Sequence, residues 1–132
     1  MEKIKSFEDA CKVKGLDAEK VLPDVAAFPA PHQKALIALA KLVIINDALN
    51  YTDNNNQDWK PDWSNYNEDK YYPWFDTEKH EDNNPTGFRL LGCVYDNAHS
   101  IVGARLVYRT RKLAEYAGEQ FLDLYQDFMV LD

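Results

Sequence analysis

The chain has few of the residues that a disulfide scaffold, a membrane protein or a nucleic-acid binder requires. Its 132 residues include only two cysteines, which match no metal-ligand spacing and are too few to staple a small core. The longest apolar run, 35–45, is interrupted by Lys41 and is shorter than a membrane span. Fifteen basic against 22 acidic residues give a net charge of −7, which disfavours broad contact with phosphate backbones. We therefore expect neither duplex nucleic acid nor a membrane as a partner.

The start of the chain also lacks the apolar stretch of a secretory signal, since it reads MEKIKSFEDA. Two cysteines without a disulfide pattern are typical of a reducing compartment, so we expect a cytoplasmic protein. Hydrophobic residues make up 45% and charged residues 28% of the chain, as in ordinary globular proteins. This composition and length predict a single α+β domain over residues 1–132.

Two helices are predicted in the first half of the chain. Ser6 and Asp9 have the spacing of a capping box, and Gly15 follows as a C-cap, which indicates a short helix over 7–14. Pro31 stands at a favourable first-turn position for a second helix that extends to about Leu49. Because this second helix is apolar on nearly all sides, it is predicted to be buried in the core.

The middle of the chain predicts a small antiparallel sheet of about three strands. Residues 70–76 have strand composition, and Pro73 restricts that strand to a sheet edge or a bulge. Residues 87–95 and 101–110 flank a short connection and read as a hairpin. If Tyr95 faces Ile101, then Leu90 faces Leu106 and one side of the hairpin is apolar.

The last helix is predicted from Arg111 to about Met129, with Thr110 as its N-cap. Its apolar residues fall on one face, which should cover the apolar side of the hairpin. The predicted architecture is thus α+β: an N-terminal helical cap, a long buried helix, a small antiparallel sheet, and a C-terminal amphipathic helix packed on that sheet.

The segment 59–75, WKPDWSNYNEDKYYPWF, contains all three tryptophans of the chain. Two interpretations remain open for Trp59, Trp63 and Trp74. They close the core by wrapping over the second face of the sheet, or some stay exposed, as anchors for a partner protein or as stacking platforms for sugars or bases.

Three arginines share the other face of the predicted hairpin, namely Arg89, Arg105 and Arg109. Together with Trp74 or Tyr72 they would form a site for an anion such as a nucleotide or phosphate. The alternative is that the arginines pair internally with the carboxylates that this acidic chain has in excess, such as Asp76.

Residues for catalysis or metal binding are sparse. The sequence has no nucleophile elbow, phosphate-binding loop or zinc-protease motif, so no catalytic residue and no cofactor is predicted. Asp76, Glu78, His80 and Asp82 alternate, and in an extended segment they would all point one way. A solvated acidic loop explains the same pattern, and we therefore predict no metal site.

Three blocks carry a resemblance to a known group of sequences: SFEDACKVKGLDAEKVLPDV, WKPDW with KYYPWF, and VGARLVYRTRKLAEYAGEQFLDLYQDF. In these blocks the chain resembles a family of small uncharacterised proteins of phages and mobile elements of gut anaerobic bacteria. The resemblance implies a place in an infected host cell or in a virion, and no catalytic residue. We accordingly expect a non-enzymatic module that binds a host or phage protein, with an anion-binding protein as the alternative. Homo-oligomers are compatible with either.

Overall fold

The computed structural model describes residues 3–131 and confirms the α+β class. In chain order the elements are α1 (Phe7–Lys14), α2 (Ala30–Asp53), β1 (Lys70–Asp76), β2 (Arg89–Asp96), α3 (Arg111–Gln120) and α4 (Leu122–Met129). The chain forms two compact units, of which the first lies within Met1–Trp59 and Asp123–Asp132 and the second is Lys60–Leu122. One domain over residues 1–132 therefore stays a prediction.

The first unit begins with the predicted short helix. The hydroxyl of Ser6 accepts a hydrogen bond from the backbone N–H of Asp9 at 3.1 Å, which satisfies one of the free donors of the first turn. α1 buries Phe7, Ala10 and Cys11 and packs against α2. Both bounds of this helix agree with the sequence prediction.

α2 is longer than predicted, and its burial is confined to part of its surface. Its buried residues are Ala38, Leu42, Ile45, Asn46, Ala48, Leu49 and Asn50. Apolar residues such as Leu36 and Val43 are half-exposed, and the first turn is exposed. The predicted fully buried helix is therefore corrected to a helix that is buried mainly on one side of its C-terminal half. By length and composition alone α2 could cross a membrane, a test that core helices of soluble proteins also pass.

The second unit contains a sheet of two strands, where about three were predicted. β1 and β2 are antiparallel, with Tyr71 opposite Tyr95 and Trp74 opposite Gly92. The pairing shifts after Trp74, where Leu91 is the extra residue of a β-bulge. Gly92 has a φ of 152° there, a conformation that L side chains rarely adopt.

The predicted hairpin between 87–95 and 101–110 does not form, because β2 pairs with β1 instead. Residues 101–110 contribute only a single bridge to the sheet, in which Tyr71 and Tyr108 exchange two backbone hydrogen bonds. The next hydrogen-bonded pair of that ladder would use Pro73, which has no N–H to donate. Pro73 thus stops the third strand from continuing in that direction, while the ladder on the other side of β1 is unaffected.

α3 packs on both strands of this sheet, which confirms that the C-terminal amphipathic helix covers a sheet, although β1 takes the place of the predicted strand 101–110. Thr110 caps it by accepting a hydrogen bond from the N–H of Leu113 at 3.2 Å. The predicted continuous helix to Met129 is interrupted at Phe121, which has φ −113° and ψ 31°. Phe121 is buried, with its ring edge-on to that of Tyr116. The predicted helix is therefore two segments, α3 and α4, that meet at a buried residue.

Candidate interaction surface on the second unit

β2 has one edge that is not covered by another strand within the described residues. β1 is its only strand partner, and no isolated bridge is recorded on its other side. The backbone groups of Tyr71 bond Tyr108, on the side of β1 away from β2. Because the direction of these groups alternates along a strand, those of Tyr72 and Trp74 point toward β2. The backbone N–H and C=O groups of Cys93 and Tyr95 consequently point away from β1. We call this side of β2 the open edge.

Two large apolar side chains stand beside the open edge. Tyr95 is 51% exposed and Leu91 is 44% exposed. The ring of Tyr95 lies 6.0 Å from that of Tyr71 between centroids, so its position is supported by a cross-strand aromatic contact. A strand edge that carries exposed apolar side chains is a surface on which another strand can pair.

On the face of the sheet that α3 covers, this helix places two charged side chains against Cys93. The guanidinium of Arg111 donates to the sulfur at 3.3 Å, and the thiol lies 3.8 Å from the carboxylate of Glu115. Burial raises the pKa of the Cys93 thiol, and Glu115 raises it further against the opposing effect of Arg111. A thiol held in its protonated form is a poor nucleophile, so this group lacks the activation that a catalytic cysteine needs.

The opposite face of the sheet is covered at one end by the loop before β1. Lys70 is fully buried there, and its ammonium group donates to the carbonyl oxygens of Asn97 at 2.7 Å and Asn65 at 3.0 Å. The carboxylate of Glu68 lies 3.6 Å away, and the ring of Trp63 covers the ammonium at 5.3 Å. A buried cation needs such partners, and Trp63 therefore has a structural role.

The three tryptophans have different surroundings. Trp59 and Trp63 are half-buried, whereas Trp74 is 57% exposed. Pro73 lies against α3 at Gly118, and successive side chains of a strand point to opposite faces. Trp74 is therefore on the face that α3 leaves uncovered. Of the candidate partner anchors, Trp74 alone presents most of its ring to solvent.

The residues predicted to form an anion site do not share one face of a hairpin, as the sequence had suggested. Arg89 lies 3.4 Å from Asp76, in the internal pairing that was the alternative interpretation. Arg105 is exposed and Arg109 half-buried, both on the segment that does not form a strand. Tyr72 is buried, and its hydroxyl contacts Asp96 at 3.4 Å. The strand register that was to gather the three arginines is absent, so the geometric reason for a shared site is lost.

The alternating segment Asp76–Asp82 is not extended along its length. His80 and Asn84 are joined by two backbone hydrogen bonds, which form a tight turn. The buried amide of Asn84 donates to the carbonyl oxygens of Asp76 and Glu78. Within residues 3–131 no group of three or more His, Cys, Asp and Glu side chains could hold a metal ion.

The sequence interpretation missed the open edge because it paired β2 with the wrong strand. In the predicted hairpin, the backbone groups of β2 were assigned to residues 101–110. The available signal was Pro73, since a proline can end a ladder on one side of a strand while leaving the other side intact.

Comparisons with protein-family models, with curated proteins and with solved structures find no match to this chain.

Proposed function

We propose that this protein is a non-enzymatic accessory protein of a phage or mobile element that binds a host or phage protein. Trp74 is the observation that carries the interaction role. Trp74 is 57% exposed on a face of the sheet that α3 does not cover. The phage setting rests on the resemblance of three sequence blocks.

An exposed tryptophan on a paired strand is suited to anchor a protein contact. Trp74 lies opposite Gly92 in the sheet, so hydrogen bonding holds its backbone before any partner arrives. Tryptophan is enriched among the residues that dominate binding energy, and burying its ring removes a large apolar area from water. A pre-organised backbone lowers the entropy cost of association.

The surroundings of the nucleophilic side chains support a binding role over an enzymatic one. Cys11 is buried, and burial raises the pKa of its thiol, as do Glu8 and Asp17. The pKa of the Cys93 thiol is also raised. Catalysis by cysteine needs the reverse shift and a positioned base.

The test is site-specific photo-cross-linking in a bacterial host. The photoreactive residue benzoylphenylalanine replaces Trp74 in one variant and the exposed Glu119 of α3 in a matched control. We expect a discrete cross-linked product at position 74, absent at position 119, that contains a second protein. Competition by the unmodified chain should remove the product, whereas a Trp74→Ala chain should compete at least tenfold less well.

Equal labelling at both positions, or no product at position 74, would contradict the proposal. In the same cells, a product of about twice the 15.3 kDa chain mass that contains only this sequence reports self-association and does not count as a partner.

A further inference from the structure

We propose that β2 also pairs with β2 of a second copy of this chain, antiparallel and across a two-fold axis at Cys93. The product is a four-stranded sheet with the order β1–β2–β2–β1. This inference does not rest on the proposed function, because it uses the open edge and leaves the face that carries Trp74 available.

The backbone of the open edge supplies the hydrogen bonds for this pairing. The outward-pointing groups of Cys93 and Tyr95 belong to alternate residues, which is the arrangement that an antiparallel neighbour requires. A two-fold axis at Cys93 sets Cys93 opposite its own copy and Tyr95 opposite Leu91 of the second copy. An unpaired strand edge is a template for strand addition, and strand addition is a recurring mode of association.

The side chains beside the open edge are complementary to each other across the two-fold axis. Tyr95 and Leu91 are the exposed large apolar residues of β2, at 51% and 44%. Under the proposed register Tyr95 of each copy covers Leu91 of the other copy. The interface therefore contains this pair twice, once on each side of the axis. Cross-strand pairs of an aromatic with an aliphatic residue stabilise a sheet, whereas a different register would leave one of them in water.

Charges on α3 are also complementary under the same symmetry. Arg111 and Glu115 lie one helical turn apart, and both reach Cys93. Gly118 lies against Leu90, so α3 runs roughly antiparallel to β2. A two-fold axis at Cys93 therefore brings Arg111 of each copy to the level of Glu115 of the other copy, so that two such pairs form. This self-complementarity is our reason for choosing a second copy as the occupant.

The association should be weak, because it joins short strands at a bulged edge. Interfaces below about 1,200 Å² are typical of transient complexes. The β-bulge at Leu91 limits how far the ladder extends. We therefore expect a monomer–dimer equilibrium that depends on concentration.

The first test is sedimentation equilibrium of the full chain and two variants at position 95. Tyr95→Pro removes an outward N–H, while Tyr95→Val keeps it and loses only the ring. Both variants should keep the far-ultraviolet circular dichroism of the parent. We expect the parent to dimerise, Tyr95→Val to dimerise more weakly, and Tyr95→Pro to lower the association constant about tenfold or more, since both copies lose a donor.

A second test does not require a change at Tyr95. A short bismaleimide alkylates two thiols without oxidation, and long incubation at mildly alkaline pH compensates for the raised pKa of Cys93. It joins two copies only where their Cys93 side chains are close. We expect a cross-linked dimer from the parent and none from Cys93→Ser, which retains the buried Cys11. The yield should fall in Tyr95→Pro in proportion to its association constant.

A parent chain that stays monomeric at millimolar concentration would overturn the inference. So would a folded Tyr95→Pro variant that dimerises as tightly as Tyr95→Val. Neither result affects cross-linking of a different protein at position 74, which tests the proposed function separately.

Discussion

Gly118 shows how a single residue fixes the distance between α3 and the sheet. A Cβ atom at this position would lie 2.7 Å from a methyl carbon of Leu90 and 2.8 Å from the Cβ of Pro73. Leucine can rotate away, but the ring of Pro73 belongs to a paired strand and cannot. The absence of a side chain at residue 118 is therefore what allows the helix to approach β1 and β2 closely.

We predict that Gly118→Ala lowers the free energy of unfolding by about 1–2 kcal/mol. Alanine gains about 1 kcal/mol in helix propensity, but overpacking a close contact costs about 1–3 kcal/mol, and the rigid Pro73 places this site in the upper part of that range. Urea unfolding followed by circular dichroism measures the change.

The matched control for this prediction is Glu119→Ala, an exposed neighbour on the same helix, which should change stability by less than about 0.5 kcal/mol. A Gly118→Ala variant that is more stable than the parent would show that the two elements can separate at little cost.

At the scale of elements, α3 depends on a local cap as well as on its contacts with the sheet. The hydroxyl of Thr110 satisfies the N–H of Leu113 at 3.2 Å. Arg111 and Lys112 follow in the first turn, where positive charge is unfavourable toward the helix dipole. The cap therefore compensates for a charge pattern that weakens this end of the helix, and it holds Arg111 where it contacts Cys93.

Replacement of the cap tests this dependence. We expect Thr110→Ala to lower the free energy of unfolding by about 1 kcal/mol, because one N–H of the first turn loses its partner. Thr110→Ser keeps the hydroxyl and should lose only a few tenths of that value. Thermal unfolding monitored by circular dichroism compares the two variants, and equal losses would assign the effect of Thr110 to its methyl group instead.

At the scale of the whole molecule, net charge opposes any association of two copies. Each chain has a net charge of −7, and like charges repel over the screening length of the solution. That length is about 30 Å at 0.01 M salt and about 8 Å at 0.15 M. Close pairs such as Arg111 with Glu115 are screened less than this long-range repulsion.

We therefore predict that self-association through the open edge strengthens as salt rises from about 0.01 M to about 0.15 M. Sedimentation equilibrium at the two salt concentrations should give a larger association constant at the higher one. The Tyr95→Pro variant serves as the control and should stay largely monomeric at both. Weaker association at the higher salt would mean that attraction between charged groups, and not strand pairing, holds the copies together.

Local signals in the sequence predicted where α1 and α3 begin. The caps at Ser6 and Thr110 marked these starts correctly, because each depends on residues within a few positions of one another. The break at Phe121 and the partial exposure of α2 were not predicted. The exposed state of Trp74 remained open, since an aromatic-rich segment is compatible with burial or with binding.

Strand pairing was decided only by the tertiary structure. Residues 87–95 were predicted as a strand and paired with 101–110, whereas the structure pairs β2 with β1. The choice depends on the hydrogen-bonding direction of Pro73 and on the close contact of Gly118 with the sheet, which join residues far apart in the chain. The sequence by itself therefore determined where α1, α2 and α3 begin and where β1 and β2 lie. The three-dimensional packing determined that 101–110 contributes only one bridge, which strand edge stays open and where the arginines lie.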